Sequence, residues 1–126
     1  MLKTEIPEIQ PQQLKTRLDS GTDMVVLDVR EAWEVALVHL ADPRVVNVPM
    51  SDLSKRGLEA LPESLRNPET EVVVVCHHGV RSAQVAGWLI QQSWKNVSSL
   101  AGGLEAYARL VDPTIGRYGS TLPLSP

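Results

Sequence analysis

The sequence predicts a three-layer α/β/α domain with a mostly parallel central sheet of about five strands. Residues 24–29 and 72–75 form apolar runs rich in β-branched residues, typical of strands that helices cover on both faces. Helical patterns alternate with these runs and with shorter strand candidates, which is typical of a parallel sheet. The length of 126 residues suits one domain with a single hydrophobic core.

The predicted elements occupy most of the chain. Besides the two apolar runs, the strand candidates are residues 45–48, residues 97–100 and, more weakly, residues 5–9. The helical candidates are residues 11–18, 31–37, a broken region over 52–65, residues 82–92 and residues 103–110. Prolines and glycines after Val111 exclude a long regular element there. We therefore expect one domain over residues 1–118 and a flexible tail over residues 119–126.

Charge and hydropathy exclude two classes of partner. The formal net charge is −3 and the basic residues are scattered, whereas nucleic-acid binding requires clustered Lys and Arg. No apolar run approaches the roughly 18 residues that a membrane-spanning helix needs. Glu5, Pro7 and Glu8 stand where a signal peptide would be apolar. We expect no nucleic-acid partner, no membrane association and a cytoplasmic location.

The chemistry is predicted at Cys76, the single cysteine of the chain. It ends an apolar run, and a helical pattern begins at Arg81 or Ser82. The thiol therefore lies between the carboxyl end of a strand and a helix N-terminus, and both positions favour anions. Such N–H groups stabilise a thiolate, the nucleophilic form of cysteine. Gly79 permits a positive φ, which would turn the loop's N–H groups toward the sulfur.

A structural role for Cys76 is the simplest alternative, because free cysteines are among the most buried residues. The residues that follow it argue against a purely apolar site. His77, His78 and Arg81 come almost directly after the thiol, and their side chains must reach water or an anion. The pattern therefore favours a functional thiol.

Four motifs, which follow one another along the chain in the order expected for the family, resemble the rhodanese family. The stretch CHHGVRS, residues 76–82, is similar to the family's active-site loop. LDVREAWE with the following His39, VVNVP ending at Pro49, and LAGGLEAY are similar to three further elements of the family. The resemblance extends over about residues 5–118. It implies the rhodanese fold and a sulfurtransferase activity.

The resemblance also implies how the residues act. Cys76 would take the outer sulfur of a donor such as thiosulfate as a persulfide and pass it to a thiophilic acceptor. Arg81 would attract the anionic donor or product. The loop residues implied to hold the persulfide are His77, His78, Gly79, Val80 and Ser82.

The partners implied are a small-molecule sulfur donor and a thiol or other thiophilic acceptor, which could be a protein. Because there is no second cysteine, the chain cannot resolve its persulfide as an internal disulfide, and an outside nucleophile must take the sulfur. No cofactor is expected. No metal is expected either, because paired ligand spacing around the histidines is missing.

The resemblance places Asp28, Arg30, Glu34 and His39 beside the active-site loop. Arg30 and Glu34 are also four residues apart on a predicted helix, an ion pair worth only about 0.2–0.5 kcal/mol if it is exposed. We expect Asp28 and Glu34 to be structural and Arg30 to add to the positive field. Ser93 departs from the family pattern, because the preceding helix usually ends in Gly.

Two other functions compete with sulfur transfer. Cysteine-dependent phosphatases and arsenate reductases also place a thiolate and an arginine on an anion-binding loop, but with five residues between them. Here four residues separate Cys76 from Arg81, which suits a sulfur atom better than a tetrahedral phosphate. A non-catalytic interaction or sulfur-sensing module with the same fold is the second alternative. Such modules typically lack the cysteine.

Overall fold

The computed structural model describes residues 5–116 and shows a five-stranded sheet flanked by helices. The strands are β1 (Glu8–Ile9), β2 (Val25–Asp28), β3 (Val45–Asn47), β4 (Glu71–Val75) and β5 (Asn96–Leu100). The helices are α1 (Pro11–Asp19), α2 (Ala32–Leu37), α3 (Met50–Arg56), α4 (Val80–Gln91) and α5 (Gly103–Leu110), with short 3₁₀ segments at Gly57–Ala60, Glu63–Leu65 and Pro113–Ile115. The strand order is β1-β5-β4-β2-β3, and each neighbouring pair is parallel.

The central strand β4 shows why its sequence is continuously apolar. Val72 and Val74 pack into one buried cluster, which also holds side chains from α3 and α4. Val73 and Val75 point to the opposite face, into a cluster with side chains from α1 and α5. Both faces of the strand are thus removed from water, so no polar alternation is needed. The arrangement confirms the predicted three-layer fold.

Several element boundaries differ from those predicted, including those of β1 and α4. Strand β1 is confined to two residues, which is shorter than the candidate over residues 5–9. Helix α4 begins at Val80, two residues before the predicted start at Ser82, because Gly79 has a φ of 99° and acts as the N-cap. The predicted flexible tail, residues 119–126, lies outside the described residues. Among residues 5–116, no helix is long and apolar enough to cross a membrane.

The parallel arrangement brings the polar motifs to one edge of the sheet. The segments that follow β2, β4 and β5 leave the sheet at the same edge because the three strands are adjacent and parallel. The N–H of Val29, just after β2, donates to the carbonyl of Val75, at the end of β4 (3.1 Å). Arg30, Cys76 and the Gly102–Gly103 pair therefore come from neighbouring strand ends.

Candidate active site

The thiol of Cys76 sits directly at the start of α4. Its sulfur accepts the backbone N–H of Gly79 at 3.1 Å and that of Ser82 at 3.3 Å. The positive φ predicted for Gly79 is confirmed, and it turns the loop back on the sulfur. Only 1% of Cys76 is exposed, so these N–H groups act where water screens them little. This geometry stabilises negative charge on the sulfur.

The glycine pair before α5 lets a second loop approach the Cys76 loop backbone to backbone. A Cβ atom on Gly103 would lie 2.3 Å from the carbonyl oxygen of His77 and 2.6 Å from that of Cys76. The same two carbonyl oxygens accept the N–H groups of Glu105 at 3.0 Å and Leu104 at 2.8 Å. The first turn of α5 therefore holds the Cys76 loop in place. The Gly-Gly motif was noted in the sequence, but this supporting role was missed.

Two buried serines lie next to the sulfur and contact each other. The hydroxyl oxygen of Ser82 lies 3.4 Å from the Cys76 sulfur and 2.7 Å from the hydroxyl oxygen of Ser99. Ser82 is fully buried and Ser99 is 1% exposed, so each hydroxyl needs a protein partner. Sequence reasoning missed Ser99. The available signal was a serine in β5, a strand whose other inward positions are apolar.

Arg81 is held by a carboxylate on α2. Its Nη1 and Nη2 atoms donate to the two carboxylate oxygens of Glu34 at 2.7 and 2.8 Å. The Glu34 side chain is 5% exposed and that of Arg81 is 33% exposed. Bidentate pairs of this kind are the most strongly oriented ion pairs in proteins. Glu34, which we expected to be structural, fixes the arginine that was predicted to attract the anionic donor.

Arg30 is completely buried and forms a second ion pair close by. Its Nε and Nη2 atoms donate to the carboxylate of Asp28, the Nη2 contact being 2.7 Å. Nη2 also donates to the carbonyl of Val38 at 2.6 Å, and Nη1 to the backbone carbonyl of Glu34 at 3.2 Å. The expected Arg30–Glu34 contact thus involves the backbone oxygen of Glu34. Because Asp28 compensates the guanidinium charge, Arg30 chiefly ties β2 to α2.

The two loop histidines differ in environment. His77 is half-buried and His78 is exposed, with their ring centroids 4.0 Å apart. Burial, followed by the charge of His78, lowers the pKa of His77 below its usual 6.5, although the carboxylates of Glu105 and Glu34 oppose this shift. His77 is therefore predominantly neutral at pH 7. Val80, also predicted to lie in the loop, is 66% exposed.

His39 contacts a different part of the molecule. It is exposed, and its Nδ1 donates to the carbonyl of Val35 at 3.2 Å. It lines a cavity of about 450 Å³ together with Tyr107 and Asp112, at the C-terminal end of α5. Burial raises the pKa of Tyr107 to about 12, so its hydroxyl stays protonated. The cavity does not include the loop around Cys76.

Comparisons with a family model, with curated proteins and with solved structures all point to one family. Residues 10–110 match the family described as "Rhodanese-like domain". The chain is 33% identical over 116 residues to "Rhodanese-like/PpiC domain-containing protein 12, chloroplastic" of Arabidopsis thaliana, covering 90% of this chain and 38% of the relative. It is 33% identical over 101 residues to "Putative sulfur carrier protein YrkF" of Bacillus subtilis, covering 80% and 50%. The chain thus spans half or less of the length of these curated relatives.

A solved structure shows the same architecture. A rhodanese-related protein from Thermoplasma volcanium superposes with a TM-score of 0.66 at 26% sequence identity. The match covers 82% of this chain and 91% of that protein.

Proposed function

Since the chain belongs to the rhodanese-like domain family, we propose that it is a sulfurtransferase that carries sulfane sulfur as a persulfide on Cys76. The observation that carries the proposal is the pair of backbone N–H groups, from Gly79 and Ser82, that converge on the sulfur. They stabilise a thiolate, the form of cysteine that attacks sulfur. The relative named as a putative sulfur carrier supports the same chemistry.

The reaction proceeds in two displacement steps at sulfur. In the first, the Cys76 thiolate attacks the outer sulfur of the donor and forms a new S–S bond. The donor's own S–S bond breaks, and the leaving group departs with the electron pair; for thiosulfate that group is sulfite. In the second, an acceptor nucleophile attacks the outer sulfur of the persulfide, and Cys76 leaves as a thiolate.

The site residues support these steps in different ways. The N–H groups of the loop hold the negative charge that returns to the Cys76 sulfur, because backbone dipoles already aimed at it need not reorient. Ser82 donates its N–H to this sulfur, and its hydroxyl oxygen accepts the S–H of the neutral thiol. Burial lowers the pKa of His77, so this loop residue adds little positive charge at pH 7. Arg81, the cation expected to attract an anionic donor, is held in an ion pair with Glu34.

A donor and acceptor panel with mass spectrometry tests the proposal. Protein incubated with thiosulfate or glutathione persulfide should gain the mass of one sulfur atom on the peptide that contains Cys76. The gain should disappear after addition of a thiol or cyanide as acceptor. Cys76→Ser should neither gain the mass nor transfer sulfur, and transfer by that variant would refute the mechanism.

The same panel separates the two alternative functions. Faster turnover of an aryl phosphate than of either sulfur donor would favour a phosphatase. A persulfide that forms but passes to no acceptor would favour a sulfur-sensing module over an enzyme. We further propose a cytoplasmic location, because a reducing compartment keeps the thiol of Cys76 free for this chemistry.

A further inference from the structure

We propose that Glu34 determines donor specificity: by holding Arg81 it selects alkyl persulfides, R–S–SH, over dianionic donors such as thiosulfate. This inference rests on the proposed sulfurtransferase function and specifies the substrate class of the same site. Glu34 lies on α2 and would affect a reaction that takes place at the loop before α4.

The ion pair restrains the cation that a dianionic donor would need. Both terminal nitrogens of Arg81 donate to Glu34, at 2.7 and 2.8 Å. Glu34 is itself anchored, because its Oε2 accepts the N–H of Glu31 at 3.0 Å in the capping box of α2. A dianion that drew Arg81 away would remove both of the hydrogen bonds that Arg81 donates to the carboxylate of Glu34, which is only 5% exposed. Removing hydrogen bonds from a buried carboxylate is costly in free energy.

Other described charges near the loop also have carboxylates beside them. Arg30 is buried in an ion pair with Asp28, which offsets much of its charge, although the guanidinium still acts on His77. The carboxylates of Glu34 and Glu105 both act on His77, and burial keeps that imidazole predominantly neutral. A donor with two negative charges therefore meets the carboxylate of Glu34 wherever it approaches Arg81.

The protonated form of an alkyl persulfide avoids this penalty because its reacting end carries no charge. The Cys76 thiolate attacks the outer sulfur of R–S–SH, the R–S to SH bond breaks, and R–S⁻ leaves with the electron pair while the proton stays on the transferred sulfur. The charge that moves is a single one. The N–H groups at the start of α4 can hold it without Arg81.

The test compares two neighbouring carboxylates of α2. Glu34→Gln keeps the shape and the capping hydrogen bond but removes the charge that neutralises Arg81. Glu31→Gln removes the same charge one turn away, where the carboxylate accepts the hydroxyl of Ser51 at 2.9 Å. We measure kcat/KM for thiosulfate, for glutathione persulfide and for a persulfidated cysteine peptide. The last two distinguish a small-molecule source of the persulfide from a polypeptide source.

We expect wild type to prefer both persulfides to thiosulfate. In Glu34→Gln, the ratio of thiosulfate to persulfide kcat/KM should rise about tenfold, because one opposing charge beside the anion is removed. Added salt should weaken this gain. Glu31→Gln should keep the wild-type ratio. An unchanged ratio in Glu34→Gln, or an equal rise in Glu31→Gln, would overturn the inference.

An inert anion separates this inference from the proposed function. Sulfate carries two charges but no transferable sulfur, and its binding is measured as protection of Cys76 from alkylation by iodoacetamide. Sulfate should protect Glu34→Gln at about tenfold lower concentration than wild type. Equal protection would overturn the role of Glu34 even if sulfur transfer were active. Failure of wild type to accept sulfur from any donor would instead overturn the proposed function.

Discussion

Replacing Gly103 with Ala should destabilise the domain through the active-site loop. Gly103 has a φ of 66°, a conformation that costs a residue with a Cβ about 1–2 kcal/mol. The added Cβ would also lie 2.3 Å from the carbonyl oxygen of His77, so the loop must move. That movement weakens the hydrogen bonds from Leu104 and Glu105 to the loop carbonyls, each worth about 1 kcal/mol. The total is about 3–4 kcal/mol.

Gly21 provides the matched control. Its φ is 75°, but a Cβ there would meet nothing within 4 Å. Gly21→Ala should therefore cost only about 1 kcal/mol, since the backbone penalty is partly offset by the reduced entropy of the unfolded chain. Urea unfolding followed by circular dichroism measures both variants, and the iodoacetamide reactivity of Cys76 should change only in Gly103→Ala. A difference between the two variants below about 1 kcal/mol would refute the claim that the close approach dominates.

Three other predictions concern stability. Ser93 has a φ of 85°, the one positive value at a non-glycine position within residues 5–116. Ser93→Gly should therefore raise the free energy of unfolding by about 1 kcal/mol. A decrease in that free energy would contradict backbone strain at this position. Arg30→Met should lower the free energy of unfolding by about 3–5 kcal/mol, because the substitution removes the ion-pair partner of the buried Asp28 carboxylate. A urea midpoint close to that of wild type would contradict this prediction. The hydrogen bond from the side chain of Arg44 lowers the pKa of Asp42 below 3.8, so the pair stabilises the fold fully above that pH and loses its effect as pH falls through the lowered pKa. The stability difference between wild type and Asp42→Asn should therefore be constant above about pH 4 and shrink in stronger acid, and a difference that persists unchanged at pH 2 would contradict this origin.

The supports of the Cys76 loop explain why its neighbours matter as much as its own residues. The sulfur receives hydrogen bonds from its own loop, while the loop carbonyls are held by the first turn of α5. Ser99 reaches the sulfur only through Ser82. A change in β5 or α5 can therefore alter the thiol without touching it.

The amino-acid sequence predicts the features that depend on neighbours along the chain. The apolar run before Cys76 predicted a buried strand, and β4 is buried on both faces. A thiol at a strand end just before a helix predicted N–H groups around the sulfur, because a helix start always leaves such groups available. Gly79 predicted the positive φ that closes the loop. Each of these depends on short-range geometry.

Which groups meet across the sheet edge depends on how the strands and helices pack. Glu34 and Arg81 are 47 positions apart, and they pair because β2 and β4 are neighbours that carry α2 and α4 from the same edge. The i, i+4 spacing suggested instead that Glu34 would pair with Arg30, but Arg30 is buried against Asp28. A residue with several partners in reach takes the one that the packed helices orient best, and spacing along the chain does not encode that choice.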